Sequence, residues 1–243
     1  MSWIAVLLIG LGVADLAHSI RPIRVVNEAT GAAVAVFAGL AAGLTSLTDA
    51  AALGVIAVAV VVWGHTVTRA FGRGEAWLPL LILGVALVGG VLTSSWAGVA
   101  GGLLGDWLDS TQVPGLEQLT AERALLLAGA LLVQLSTGNV IVRLVLAATG
   151  TTNPRYGAEP DPEQQLKGGR LLGPMERVFI VGLGLAGQLT AASIVIAAKG
   201  LLRFPELQSK QEQVRIHQLT EYFLVGSFVS WLVALSSLVV LAT

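Results

Sequence analysis

The sequence predicts an all-α fold: a polytopic integral membrane helix bundle, a single transmembrane domain over residues 1–243, with about seven crossing helices and eight as the alternative. Three observations predict it. Hydrophobic residues make up 55% of the chain and charged residues only 12%, where a soluble domain carries about 25% charged residues. Mean hydropathy is +0.80. Apolar runs recur along the whole length, each near the roughly 20 residues that a helix needs to cross a bilayer core. Backbone groups in hydrocarbon must pair within their own segment, so helices are the expected form. The alternating segments of a barrel do not occur.

Trp3–Ile20 is the first run. A secretion signal would start with basic residues and end at a small-residue cleavage site. Here no Lys or Arg precedes the run, and Arg21 and Arg24 follow it. It therefore reads as a retained crossing. Thr30–Leu47 comes next, then Ala51–Thr68 and Trp77–Ser94. Residues 95–121 form a segment without Lys or Arg before Arg123; within it Trp96–Leu108 is rich in glycine and alanine and suits a re-entrant or interfacial helix. Ala124–Thr149 is the fifth run, and residues 151–173, with Pro154, Pro160 and Pro162, read as an irregular loop. Met175–Ala198 is the sixth, residues 203–220 are a polar loop, and Tyr222–Leu241 is the seventh.

Basic residues favour the cytoplasmic side, which places the amino terminus outside and predicts a multi-pass protein of the cytoplasmic (inner) membrane. The first four assignments agree with one another. Beyond them the rule loses force. With seven crossings Arg21, Arg24, Arg69, Arg73, Arg143, Arg155, Lys167, Arg170 and Arg177 lie inside, against Arg123, Lys199, Arg203, Lys210 and Arg215 outside. Making Trp96–Leu108 an eighth crossing inverts the downstream half, and the count is again nine inside against five outside.

Several function classes are excluded. A net charge of −1 gives no basic footprint for nucleic acid. With Cys 0 there is no disulfide, thiolate metal site or cysteine nucleophile. Gly182, Gly184 and Gly187 spell GxGxxG, yet a dinucleotide fingerprint needs a parallel sheet around it, and the chain offers no strands for one. Within an apolar run these glycines suit helix packing. Asp15, His18 and His65 have metal-ligand chemistry but no motif spacing. No metal or cofactor is expected, and the partner expected throughout is membrane lipid.

Small residues spaced by four mark packing faces: Gly31, Ala35, Gly39 and Gly43 on the second run, and Gly226, Ser230 and Ala234 on the last. Such faces let helix backbones approach closely, either inside the bundle or against a second copy or a partner membrane protein.

Ionisable and amide groups at membrane depth are costly and mark candidate sites. Asp15 and His18 are three apart on one helical face. His65 ends the third run, Gln134, Asn139 and Arg143 lie on the fifth, and Glu176 and Arg177 open the sixth. In a seven-helix bundle Asp15, His18, His65, Asn139, Arg143, Glu176 and Arg177 approach one interface and could line a shared cavity. Arg177, Gln188 and Lys199, spaced by three turns, would line one face of a continuous sixth helix. Long cations near helix ends also snorkel without a function, so the carboxylate of Asp15 is the stronger candidate.

The C-terminal third carries the segments Gly169-Arg170-Leu171-Leu172-Gly173-Pro174-Met175-Glu176-Arg177, Ala186-Gly187-Gln188, Ala197-Ala198-Lys199, Arg203-Phe204 and Glu221-Tyr222-Phe223-Leu224-Val225-Gly226, in that order. In these it resembles a bacterial family of polytopic membrane proteins catalogued as a domain of unknown function. The resemblance implies no reaction and no substrate. It implies that Glu176, Arg177, Gln188, Lys199, Arg203, Glu221 and Tyr222 belong to one unit of the fold. Three functions fit the sequence: translocation of a small solute, ion or lipid; a non-catalytic membrane subunit or scaffold; and an intramembrane enzyme acting on lipid. The polar groups within the runs favour the first.

Overall fold

The computed structural model describes residues 1–111, 113–116, 118–151, 169–207 and 213–242; side chains at 24, 73, 169–170, 199–207 and 213–220 lie outside the described set. Every regular element among the described residues is helical: α1 (Ser2–Ile20), α2 (Arg24–Ala41), α3 (Leu47–Arg73), α4 (Trp77–Leu92), α5 (Gly102–Ser110), α6 (Ala121–Leu132), α7 (Gly138–Ala148), α8 (Gly169–Leu185), α9 (Leu189–Leu207) and α10 (Gln213–Ala242). A 3₁₀ turn at Ser94–Trp96 follows α4, and a π-helical turn at Val133–Thr137 joins α6 to α7.

Among the described residues, four helices are long and apolar enough to cross a membrane: Ser2–Ile20, Leu47–Gly72, Ala121–Ala148 and Glu221–Ala242. Val25–Ala41, Trp77–Leu92 and Leu189–Ala198 are shorter apolar helices. Large apolar side chains such as Phe37, Val55, Val85 and Phe228 stand exposed along them. In water such a surface would aggregate; in lipid it is solvated.

The chain divides into two compact units, Met1–Val140 and Ile141–Thr243. In the first, α1 is the central helix, touching α2, α3, α4, α6 and the π turn. It is apolar on all sides, as a helix enclosed by others should be. Its glycines set the spacing. A Cβ at Gly10 would meet Ala35 and Val60 at 2.9 and 2.8 Å, and one at Gly31 would meet Ala14 and the Gly10 carbonyl at 2.6 Å. The Gly31/Ala35 stripe is thus spent on α1, inside the unit, and Gly39 continues it against Leu53 of α3.

Gly43 does not belong to that stripe. Helix α2 ends at Ala41, and Gly43 sits past the end at φ +78. Its N–H donates to Leu40 O while the Leu44 N–H donates to Gly39 O, the paired bonds of a Schellman stop that favours glycine at the left-handed position. The second run therefore ends short of Leu47.

The directions of the helices follow from their pairings. Trp3 and Asp15 of α1 meet Asp49 and Trp63 of α3, so α1 and α3 run parallel, with α2 antiparallel to both. Gly129 lies against Leu8, and Gly12 against Leu132, so α6 also runs parallel to α1. The α4–α6 connection begins and ends at one end of the unit: Gly98 lies by Ser2 and Asp49, Gly101 donates to Ala42 O, and Ser2 reaches Glu122. Trp96–Leu108 does not cross unit 1, and its helical part is the short α5.

The second unit corrects the reading of Met175–Ala198 as one continuous helix. Gly187, at φ +71, stops α8: its N–H donates to Gly184 O, and the Gln188 N–H donates to Leu183 O. The Gln188 carbonyl then accepts from the Ala192 N–H and starts α9. Arg177 lies by Ser230 and Gly184 by Leu238, so α8 and α10 are parallel. The start of α10 is then about 37 Å below the level of Gly184. Had α9 continued in the direction of α8, its end would be about 65 Å from Gln213, and the intervening residues reach at most about 23 Å. Helix α9 therefore folds back. Arg177, Gln188 and Lys199 do not share one helical face.

Two expected loop boundaries also move. Residues 152–168 lie outside the described residues, but Gly169–Gly173 already belong to α8, and Pro174 lies inside that helix. Of the 203–220 loop, α9 takes the part up to Leu207 and α10 the part from Gln213.

Candidate functional site

Asp15 sits on the central helix and is 9% exposed. The indole N–H of Trp63, on α3, donates to both carboxylate oxygens, at 3.2 Å each. Thr137, on the π turn, places its hydroxyl opposite the same carboxylate. A charged acceptor bonded by a neutral donor contributes about 1.5–3 kcal/mol, more than enough reason for Trp63 to be buried among apolar side chains.

The π turn arises from a polar run inside an apolar helix, Gln134-Leu135-Ser136-Thr137. Ser136 Oγ bonds the Leu132 carbonyl at 3.1 Å and the Gly12 carbonyl at 2.8 Å, and Gln134 Nε2 donates to Ala130 O at 3.3 Å. Side chains that take carbonyls of the preceding turn compete with the helix ladder, and the extra residue of a π turn accommodates them. Gln134, Ser136 and Thr137 are all buried as a result. Gly12 makes the approach feasible, since a Cβ there would overlap Leu132.

His18 does not join Asp15. It is exposed and faces Asn27 Nδ2 at 3.4 Å, while Asn27 also donates to Arg21 O at 2.6 Å. His65 is exposed too, two residues beyond Trp63, which takes the inward position instead. Asn139 is half-buried just past the π turn.

In unit 2, Arg177 is 1% exposed and donates to Ser230 Oγ at 3.1 Å. Its neighbour Glu176 accepts from Trp231 Nε1 at 2.9 Å. Ser230 thus acts as a polar partner as well as a small packing residue. Gly226 meets Leu146 and Val142 at ordinary contact distances, 3.6 and 3.8 Å. Arg143 is exposed, and Gln188 is exposed at the α8–α9 turn. The Lys199 side chain lies outside the described residues. Glu176, Arg177, Gln188, Lys199, Arg203, Glu221 and Tyr222 all fall within unit 2.

A second polar centre in unit 1 escaped the sequence reading. Asp49, 2% exposed, accepts from Trp3 Nε1 at 2.8 Å, from the Gly98 N–H at 3.0 Å and from Ser46 Oγ at 2.6 Å. Ser46 in turn caps α3 by accepting from the Asp49 N–H. The signal was available as Ser46-x-x-Asp49 ahead of an apolar run. Helices α1 and α3 therefore exchange tryptophan–aspartate bonds, each giving one of each residue. Trp231–Glu176 repeats the chemistry in unit 2.

Among the described residues no three His, Cys, Asp or Glu side chains gather as a metal ion would require. Comparison with known protein families, with curated proteins and with solved structures gives no match to this chain.

Proposed function

We propose that this protein is a multi-pass protein of the cytoplasmic membrane that translocates a small solute or ion, with Asp15, Trp63 and Thr137 at the centre of the pathway. The observation that carries the reading is the Asp15 carboxylate, enclosed in the bundle and held by neutral donors with no Lys or Arg among them. A carboxylate inside a membrane bundle is expensive and marks an ion or substrate path. The adjoining π turn supports the same reading, since such turns concentrate at functional sites.

Currents recorded on a supported membrane carrying the purified protein, during jumps of salts, amino acids and sugars, test it. We expect a solute-driven current that falls to the protein-free level in Asp15→Asn. A variant as active as the wild type overturns the site. A wild-type protein that gives no current with any solute overturns translocation and favours the membrane-subunit reading, which co-purification of a partner would then support.

The topology proposed has eight crossings: α1, α2, α3, α4, the run Ala121–Ala148, α8, α9 and α10. Of the 14 Lys and Arg residues, all but Arg123 and Arg177 then fall in connections or helix halves on one side. Basic residues mark that side as cytoplasmic. Folding the sixth run back on itself removes the nine-to-five split that seven crossings leave. Single cysteines are informative because the chain has Cys 0. In intact cells an impermeant thiol reagent should label Ala186→Cys and spare both Asp161→Cys and Gln208→Cys. Labelling at position 208 with none at 186 would restore the seven-crossing arrangement.

A further inference from the structure

We propose that α5 is a membrane-interface helix: its Leu103–Trp107 side seats among the lipids of the leaflet at the Ser2 end of unit 1, while Asp106 and Asp109 stay in water. The proposal needs only that unit 1 spans a membrane and holds with or without translocation. The residues leading into α5 set its depth. The Gly101 N–H donates to the Ala42 carbonyl at 2.7 Å, just past the end of α2, and a Cβ at Gly102 would lie 2.7 Å from the Gly43 nitrogen. Gly98 donates to Asp49 in the first turn of α3 and accepts from Ser2 at the start of α1. Helix α5 thus begins level with the ends of α1, α2 and α3, where hydrocarbon gives way to headgroups, and it packs on α2 and α6.

The helix has three distinct faces. Leu104 and Leu108 point one way, and Leu108 is buried. Leu103 and Trp107 lie about 100° round from them and are 73% and 55% exposed. Asp106 and Asp109 lie about 110° further on and are exposed too. One face meets the protein, one is apolar and open, and one is charged, which is the segregation of a helix lying in an interface. Trp96 and Val99, just ahead of α5, are exposed and add to the apolar surface at this end. The Trp107 indole N–H meets no acceptor among the described residues, whereas Trp3, Trp63 and Trp231 each bond a carboxylate. An apolar ring with an open N–H suits the boundary between acyl chains and headgroups.

Lipid fits the open face better than a second copy does. A stable protein interface takes about 20–30 residues a side, far more than Trp96, Val99, Leu103 and Trp107 supply. A two-fold partner would also set Asp106 and Asp109 along the rim of the contact near their own copies. Full entry into hydrocarbon fits no better, since it would carry both carboxylates out of water.

Nitroxide labels on single cysteines in the full chain, reconstituted into phosphatidylcholine vesicles, test the orientation through collisions with oxygen, which partitions into lipid, and with a nickel chelate, which stays in water. Val55→Cys, exposed on α3, calibrates lipid, and Glu75→Cys, exposed between α3 and α4, calibrates water. We expect the oxygen-to-nickel ratio at Leu103→Cys to approach the Val55 value and to exceed several-fold the ratio at Asp106→Cys. A water-like ratio at both positions overturns the proposal, and so does a lipid-like ratio at both, which would make α5 re-entrant. A label at 103 shielded from both reagents also overturns it, because protein would then cover that face. The native side chain gives a second readout: phosphatidylcholine brominated near the headgroup should quench a part of the emission that is missing in Trp107→Phe. Equal quenching of the wild type and Trp107→Phe counts against the proposal.

Discussion

Asp49→Ala is expected to lower the unfolding temperature of the purified protein more than any other single change to a polar side chain in unit 1. The carboxylate accepts from Trp3 Nε1, Gly98 N–H and Ser46 Oγ at once. Ser46 has a second partner in Thr48 Oγ1 at 2.8 Å, so its hydroxyl can turn away. Trp3 and Gly98 have no such recourse. A buried donor left without an acceptor costs about 1–3 kcal/mol, which falls in full on the buried Trp3 indole and in part on the half-buried Gly98 N–H. Folded domains hold about 5–15 kcal/mol in all. Heating in detergent followed by size-exclusion chromatography measures the loss. Asp49→Asn keeps one acceptor oxygen and should fall between alanine and wild type. An alanine variant as heat-resistant as the parent would show that the Trp3 and Gly98 bonds contribute nothing to holding α1 against α3.

The second large effect is steric. Gly12→Val should separate α1 from α6, because the Cβ alone would lie 2.5 Å from Leu132 Cβ and 3.0 Å from the Leu132 carbonyl carbon. Backbone atoms cannot rotate aside. Overpacking of this kind costs about 1–3 kcal/mol in a core that can adjust, and here it also removes the Ser136–Gly12 bond at 2.8 Å. We expect little or no folded protein. Gly54→Val is the matched control, since nothing lies within 4 Å of a Cβ there. Equal yields of the two variants, measured by the monodisperse fraction after solubilisation, would contradict the close approach of α1 and α6.

That the chain is helical was legible in the sequence because the length and hydropathy of its apolar runs determine it, whereas where several helices start and stop was not. The small-residue stripe at Gly31, Ala35 and Gly39 was legible for a similar reason: close packing in lipid requires small side chains. The stop at Gly187 was hidden because glycine serves two roles in an apolar run, as a close-packing residue and as a left-handed helix stop, and composition does not separate them. The polar partners were harder still. Trp3, Trp63 and Trp231 read as apolar mass, yet each offers one N–H that a buried carboxylate can use. Asp15 was found by its cost in hydrocarbon. His18 was paired with it by spacing alone, and spacing does not reveal that Trp63, 48 residues away, competes for the same acceptor and wins.

The central position of α1 has a consequence for how the protein is made. Helix α1 leaves the ribosome ahead of each of the helices that come to enclose it, α2, α3 and α6. Its Gly12 carbonyl meets Ser136 only 124 residues later, which at about 5–20 residues per second is a wait of roughly 6–25 s. During that interval the nascent Asp15 has neither Trp63 nor Thr137, and its apolar faces are held by lipid or by the insertion machinery. Assembly is therefore a displacement: α2 and α3 strip one side of α1 as they arrive, and α6 strips the other.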